Sequence, residues 1–147
     1  MPFEKSAGAV IFRKDGGKFF YLLLHYPSTT KGTKGDYWDL PKGHIEKGEK
    51  ELETVKREVK EETSLTDLKF VEDFKEWIKY FFRHREKTIF KIVTFYLAET
   101  KTKEVEVSSE HIGFEWLPYE ESLEQLTFKN AKEILNKAHK YLREKHA

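Results

Sequence analysis

Between Gly43 and Leu65 the chain reads GHIEKGEKELETVKREVKEETSL, and this stretch constrains the fold more than any other. From Gly48 to Glu62 the apolar residues Leu52, Val55 and Val59 recur at spacings of three and four, while the other positions are mostly charged. That is the periodicity of a helix burying one narrow stripe. Glu49 and Glu51 fall in its expected first turn, where the aligned peptide dipoles favour acids.

The flanking sequence reads as strands. Ser6–Phe12 and Phe19–Leu24 are short apolar runs joined by Lys14-Asp15-Gly16-Gly17, a hairpin signal with a glycine turn. Pro27–Asp36 is a polar loop, and Tyr37–Leu40 is a short strand stopped by Pro41. Leu68–Phe82 and Thr88–Ala98 are rich in aromatic and β-branched residues and predict two long strands around the basic turn Arg83–Glu86. Ile112–Leu117 predicts another strand, closed by Pro118, with a short acidic helix from Tyr119. In Lys129–Glu144, Ala131, Ile134, Leu135, Ala138 and Leu142 share one face of a final helix that packs on the body. Near-continuous apolar runs imply strands covered on both sides. The expected architecture is therefore α/β, a mixed sheet between helices, in one domain over residues 1–147.

Composition narrows the function. There are no cysteines, which excludes disulfides, thiolate metal sites and a cysteine nucleophile. The 27 Lys and Arg nearly balance the 26 Asp and Glu, so net charge gives no reason to expect a nucleic-acid partner or a membrane surface. No run approaches the roughly 20 apolar residues of a membrane span, and MPFEKSAGAV does not read as a signal peptide. A cytoplasmic protein is expected. With 22 Lys and 21 Glu against one Gln and two Asn, the composition has a thermophile-like signature.

On the predicted helix, Glu58, Glu61 and Glu62 stand at i, i+3 and i+4, so their carboxylates share a face. Crowded carboxylates repel one another unless a cation sits among them, and hard oxygen ligands favour Mg²⁺ or Mn²⁺ shared with substrate phosphates. In a chain with 21 Glu, such a triplet alone would pass for a solvated acidic face. The longer pattern is far more demanding. It places a glycine, an early Glu, an Arg, the Glu triplet and apolar residues at defined offsets over 23 residues.

That pattern resembles the signature of the Nudix hydrolases, G-x5-E-x7-R-E-U-x-E-E-x-G-U with U a bulky apolar residue. Gly43, Glu49, Arg57, Glu58, Val59, Glu61, Glu62 and Leu65 match it. The family's late glycine is Ser64 here, at the point where a left-handed residue closes the helix. The resemblance implies an α/β/α sandwich that cuts a phosphoanhydride with water. It implies divalent ions held by Glu58, Glu61 and Glu62 with the Gly43 carbonyl. Arg57 would orient the carboxylates through Glu49, and Glu58 would serve as general base.

The likeness extends over nearly the whole chain. Trp38-x-Leu40-Pro41-Lys42-Gly43-His44, Tyr80, Lys87-Thr88, Tyr96-Leu97-Ala98-Glu99, Ser109-Glu110-His111, Trp116-Leu117 and Phe128-Lys129 follow in the order of the asymmetric diadenosine tetraphosphate hydrolases. These split a dinucleoside polyphosphate into ATP and AMP. The resemblance implies that Lys42 and Lys87 contact the polyphosphate and that Tyr80 and Phe128 sandwich an adenine. It also makes Glu110 an extra metal ligand or alternative base. His25, His44 and His111 stay without an assigned role. Other Nudix substrates (an oxidised nucleoside triphosphate, capped RNA ends, diphosphoinositol phosphates) and a non-catalytic nucleotide-binding module remain open, because the signature itself only holds metal and anhydride.

Overall fold

Strand β1 (Phe3–Asp15) turns through Gly16 and Gly17, both at positive φ, into β2 (Lys18–Tyr26), as the glycine pair predicts. The computed structural model describes residues 2–28 and 35–145, so residues 29–34 of the expected Pro27–Asp36 loop lie outside the described residues. β3 (Tyr37–Asp39) pairs antiparallel with β2. A further strand, β4 (Lys42–His44), pairs antiparallel with β1, with Ala7 opposite Gly43. The sequence reading ended this region at Pro41. In the structure the Pro41 carbonyl instead accepts a bond from the Ala9 amide and leads into the new strand.

The expected helix is α1 (Glu51–Thr63), which begins after Lys50 rather than at Gly48. It ends on Ser64 in the left-handed conformation at φ 67, where the Ser64 amide bonds the Lys60 carbonyl. Serine thus takes the backbone shape for which the family uses glycine.

The single strand expected over Leu68–Phe82 is two strands, β5 (Lys69–Phe70) and β6 (Glu76–His84). Between them Asp73 takes a positive φ and Phe74 drops into the core, a break that aromatic and β-branched content alone does not reveal. β7 (Lys87–Glu99) pairs antiparallel with both and runs parallel to β1 from Phe3 opposite Phe90 to Phe12 opposite Glu99. β8 (Gly113–Leu117) joins the far side of β2, followed by α2 (Tyr119–Gln125) and α3 (Lys129–Lys145).

Strand alternation sorts the core into two layers. Ala7, Ala9, Ile11, Leu22 and Leu24 pack with Val55 and Val59 of α1 on one face of the sheet. Val10, Phe12, Leu23, Val93, Phe95 and Leu97 pack with Ala131, Ile134, Leu135, Ala138 and Leu142 of α3 on the other. This is the mixed sheet between helices that the element order predicted. No helix among the described residues is long and apolar enough to cross a membrane.

Leu135 is completely buried in the α3 layer. Leu135→Ala should cost about 2–5 kcal/mol of stability, since the close-packed site collapses only partly around the cavity. Urea unfolding checks this, and a loss under about 1 kcal/mol would place α3 outside the core.

Candidate active site

The site is organised by Arg57. From α1, its Nε donates to Glu49 Oε2 at 2.7 Å and Nη2 donates to Glu49 Oε1 at 3.1 Å, a two-pronged grip on one carboxylate. Nη2 also reaches the His44 carbonyl at 3.0 Å, and Nη1 donates to Glu58 Oε1 at 2.8 Å. Glu49 in turn accepts from the Glu46 amide and the Thr54 hydroxyl. A planar guanidinium is suited to such a fork, which a lysine cannot reproduce. Above all the Arg57 bonds, then those from Thr54 and the Glu46 amide, hold the Glu49 carboxyl down to a pKa of about 2. The arginine therefore fastens the β4–α1 loop to the helix that carries the acids.

Glu58 lies against the backbone of Gly43, so closely that a Cβ at residue 43 would overlap its carboxyl group. Burial pushes the Glu58 carboxyl above its ordinary range. Arg57 pulls it back, and the neighbouring charges of Glu61 and Glu110 add to the rise. Glu61 is exposed, with Arg57 Nη1 3.4 Å from its Oε2. Glu62 is buried and faces the 106–111 loop: its Oε2 stands 3.5 Å from His111 Nε2, and its carbonyl accepts from the Ser108 amide. The triplet thus shares a helix side but not one closed cluster. Among the described residues, no three Asp, Glu or His side chains are gathered as a ready cation cage. The donor chemistry nonetheless fits a hard divalent ion: carboxylate oxygens throughout, with a glycine backbone where a side chain would fill the space beside Glu58.

A cavity of about 490 Å³ opens on the α3 face of the sheet. Tyr80 and Phe82 of β6, Phe95 of β7 and Phe128 before α3 give it aromatic walls, while Lys42 and Lys91 supply cationic groups beside the carboxylates of Asp39 and Glu4, and His44 an imidazole. Alternation along β4 explains its relation to the acids. Lys42 reaches the cavity, whereas the next residue, Gly43, meets Glu58. Lys42 is nearly buried and paired with Asp39 at 2.9 Å.

The structure thus brings Lys42, Tyr80 and Phe128 to one pocket. Lys87 is not among the residues lining it; it is exposed at the start of β7, opposite His84, and that neighbour does reach the cavity. Phe128 also packs on Tyr37, ring centroids 5.3 Å apart, so it serves the core as well as the pocket. His111 is a buried partner of Ser108 and Glu62, and His25 stacks on Trp38 at 4.3 Å.

Sequence reasoning missed Lys91 and Asp39. Lys91 interrupts the apolar run Ile89–Phe95 at the same parity as Val93 and Phe95, which marks an inward-facing lysine. Burial first, then the Lys42 charge, lowers its pKa to about 8, with the nearest acid, Glu4 Oε1, 3.9 Å away.

Comparison with known proteins points the same way. A model of the NUDIX domain matches residues 2–138. A Mus musculus protein named bis(5′-nucleosyl)-tetraphosphatase (asymmetrical) is 34% identical over 148 residues, covering 94% of this chain and 95% of its own. A solved binary complex of the C. elegans Ap4A hydrolase superposes with a TM-score of 0.80 at 32% identity, covering 96% of this chain and 98% of its own. An RNA pyrophosphohydrolase of Bartonella bacilliformis is 29% identical over only 56% of this chain and 48% of its own.

The lowered Lys91 pKa gives a signed expectation. Between pH 8 and 10.5 the unfolded chain keeps this proton while the folded chain has released it, so the contribution of Lys91 to stability rises with pH across that window. Measured against Lys91→Met, the melting temperature of the native protein should gain ground as pH climbs from about 8 to 10. A constant or shrinking difference would show that Lys91 is solvated.

Proposed function

The chain belongs to the NUDIX family and is a Nudix hydrolase related to the Ap4A hydrolases, and from that premise we propose that it cuts diadenosine 5′,5‴-tetraphosphate into ATP and AMP. The observation that carries this reading is the pairing of an aromatic, cation-rimmed pocket with an acidic helix face on either side of β4. A nucleobase needs the first and an anhydride needs the second.

In this reading Glu58, Glu61 and Glu62, with Glu110 and the Gly43 backbone, hold Mg²⁺ or Mn²⁺. Such an ion, when bound, neutralises phosphate oxygens and lowers the pKa of water. Tyr80 and Phe128 stack one adenine. Lys42 and Lys91 follow the phosphates inward, and Lys87 meets them from the hairpin tip. Charge alone cannot set the register of a chain of alike phosphates, whereas a stacked base can. Glu58, pinned between Gly43 and Arg57, accepts the proton of the attacking water. The new P–O bond forms at the outermost phosphorus, and the bridging oxygen leaves with ATP. Arg57 touches no substrate; it holds Glu58 and the β4–α1 loop in place. Such a substrate suits a cytoplasmic enzyme needing neither a membrane nor a stable nucleic-acid partner.

Chromatography of the products in ¹⁸O-water tests the reading. Diadenosine tetraphosphate should give ATP and AMP with the label in AMP alone. Two ADP molecules, or preferential turnover of an oxidised triphosphate or a capped RNA, would overturn it. Glu61→Gln and Glu62→Gln should lower kcat by orders of magnitude with folding intact, and Arg57→Lys should also be poor. Stacking is worth about 1–3 kcal/mol per base, so Tyr80→Ala should raise KM about ten-fold with little change in melting temperature. Phe128→Ala should raise KM similarly and lose some stability through Tyr37.

A further inference from the structure

The segment 106–111, between β7 and β8, lies along the C-terminal end of α1 as a strap. The Glu106 amide donates to the Thr63 carbonyl at 3.1 Å, and the Ser108 amide to the Glu62 carbonyl at 3.2 Å. Just beyond, the Ile112 amide donates to the His25 carbonyl at 2.8 Å. These three bonds anchor the strap through its backbone, whatever side chains it carries. It nonetheless turns one imidazole inward. The His111 side chain is 1% exposed, and the Tyr26 ring meets it edge-on with centroids 4.6 Å apart.

The neighbours of the ring fix which nitrogen carries its proton. Ser108 Oγ accepts from the Glu110 amide at 3.3 Å and stands 2.8 Å from His111 Nδ1, so its hydroxyl hydrogen is left for Nδ1. A neutral imidazole whose Nδ1 accepts carries its proton on Nε2. That N–H faces α1. Glu62 Oε2 stands 3.5 Å from Nε2, which has no other partner among the described residues. The opposite tautomer would turn a nitrogen lone pair toward a carboxylate. Buried donors are nearly always paired, and the Glu62 carboxylate is the acceptor that this one faces.

We propose that His111 is a positioning residue for metal binding: its Nε2–H donates to Glu62 and fixes the direction in which that carboxylate faces a divalent cation. This rests on Glu62 serving as a cation ligand, as in the proposed function. A glutamate side chain otherwise samples several rotamers, and ordering it costs free energy when the ion arrives. A buried donor that holds the carboxylate beforehand removes part of that cost. Ser108 extends the device to the second acid proposed for the ion. The same hydroxyl oxygen that bonds the imidazole accepts the Glu110 amide, so the orientation of Glu62 and the backbone of Glu110 are set from one point.

Mn²⁺ alone, titrated into the full chain and followed by electron paramagnetic resonance of the free ion, tests this without turnover. His111→Leu should weaken Mn²⁺ binding about 10- to 100-fold, the usual effect of losing a group that orients a metal ligand, with the fold intact by circular dichroism. Two amides separate the two ring nitrogens. His111→Gln places an N–H near the position of Nε2 and should keep most of the native affinity. His111→Asn reaches only the position of Nδ1, where it can still bond Ser108, and should bind Mn²⁺ as poorly as His111→Leu. Where His111→Leu fails to fold, this pair decides alone. Added to Glu62→Gln, His111→Leu should weaken binding little further, since the carboxylate it positions is gone. Native affinity in His111→Leu or His111→Asn, or a glutamine variant no better than the asparagine one, would each overturn the proposal, because His111 would then serve only to fasten the strap. Unchanged Mn²⁺ affinity in Glu62→Gln would instead overturn the reading of Glu62 as a ligand.

Discussion

The grip of Arg57 on Glu49 is the contact on which the rest of the site depends. Two bonds to one carboxylate, a third to the His44 carbonyl and a fourth to Glu58 join three pieces of chain: the end of β4, the loop after it and the middle of α1. They hold the Glu49 end of the loop, while Ile45 at its start bonds the Lys5 carbonyl and packs on the core. Charge-assisted bonds are among the stronger fixed contacts available at a half-exposed site. Arg57 is also a cation placed among acids, so it offsets part of the repulsion that Glu58 and Glu61 would otherwise exert on one another.

The second constraint is strand parity at β4. Three residues are enough to send Lys42 into the pocket on the α3 face and bring Gly43 against Glu58 on the α1 face. The pocket and the acidic helix face are different surroundings, one walled by Tyr80, Phe82, Phe95 and Phe128, the other lined by the carboxylates of α1. A sheet one residue thick keeps them adjacent and separate. The pairing of β4 with β1 holds this partition in register, and a slip of one residue would exchange the two sides.

The same parity governs β6. Tyr80 and Phe82 face the pocket, while Trp77 and Phe81 face solvent on the other side. The pocket wall is therefore also the edge of the sheet.

The sequence by itself determined the helices, most of the strands and which acids of α1 stand on one helix side. Helical periodicity and the spacing from Gly43 to Leu65 are local, and local spacing is what a sequence records directly. Serine in place of the expected glycine left the closing turn at residue 64 open, and the structure resolves it as left-handed. The break at Asp73 and the strand at Lys42–His44 were not legible: no local pattern marks the break, and Lys42–His44 owes its place to Ser6–Gly8, more than thirty positions away. Tertiary structure alone decided that Glu62 turns to His111 while Glu58 meets Gly43, and that Lys91 joins the pocket while Lys87 stays at the hairpin tip. Helix spacing says which side chains share a side; only the surfaces packed against that side decide where each carboxylate ends.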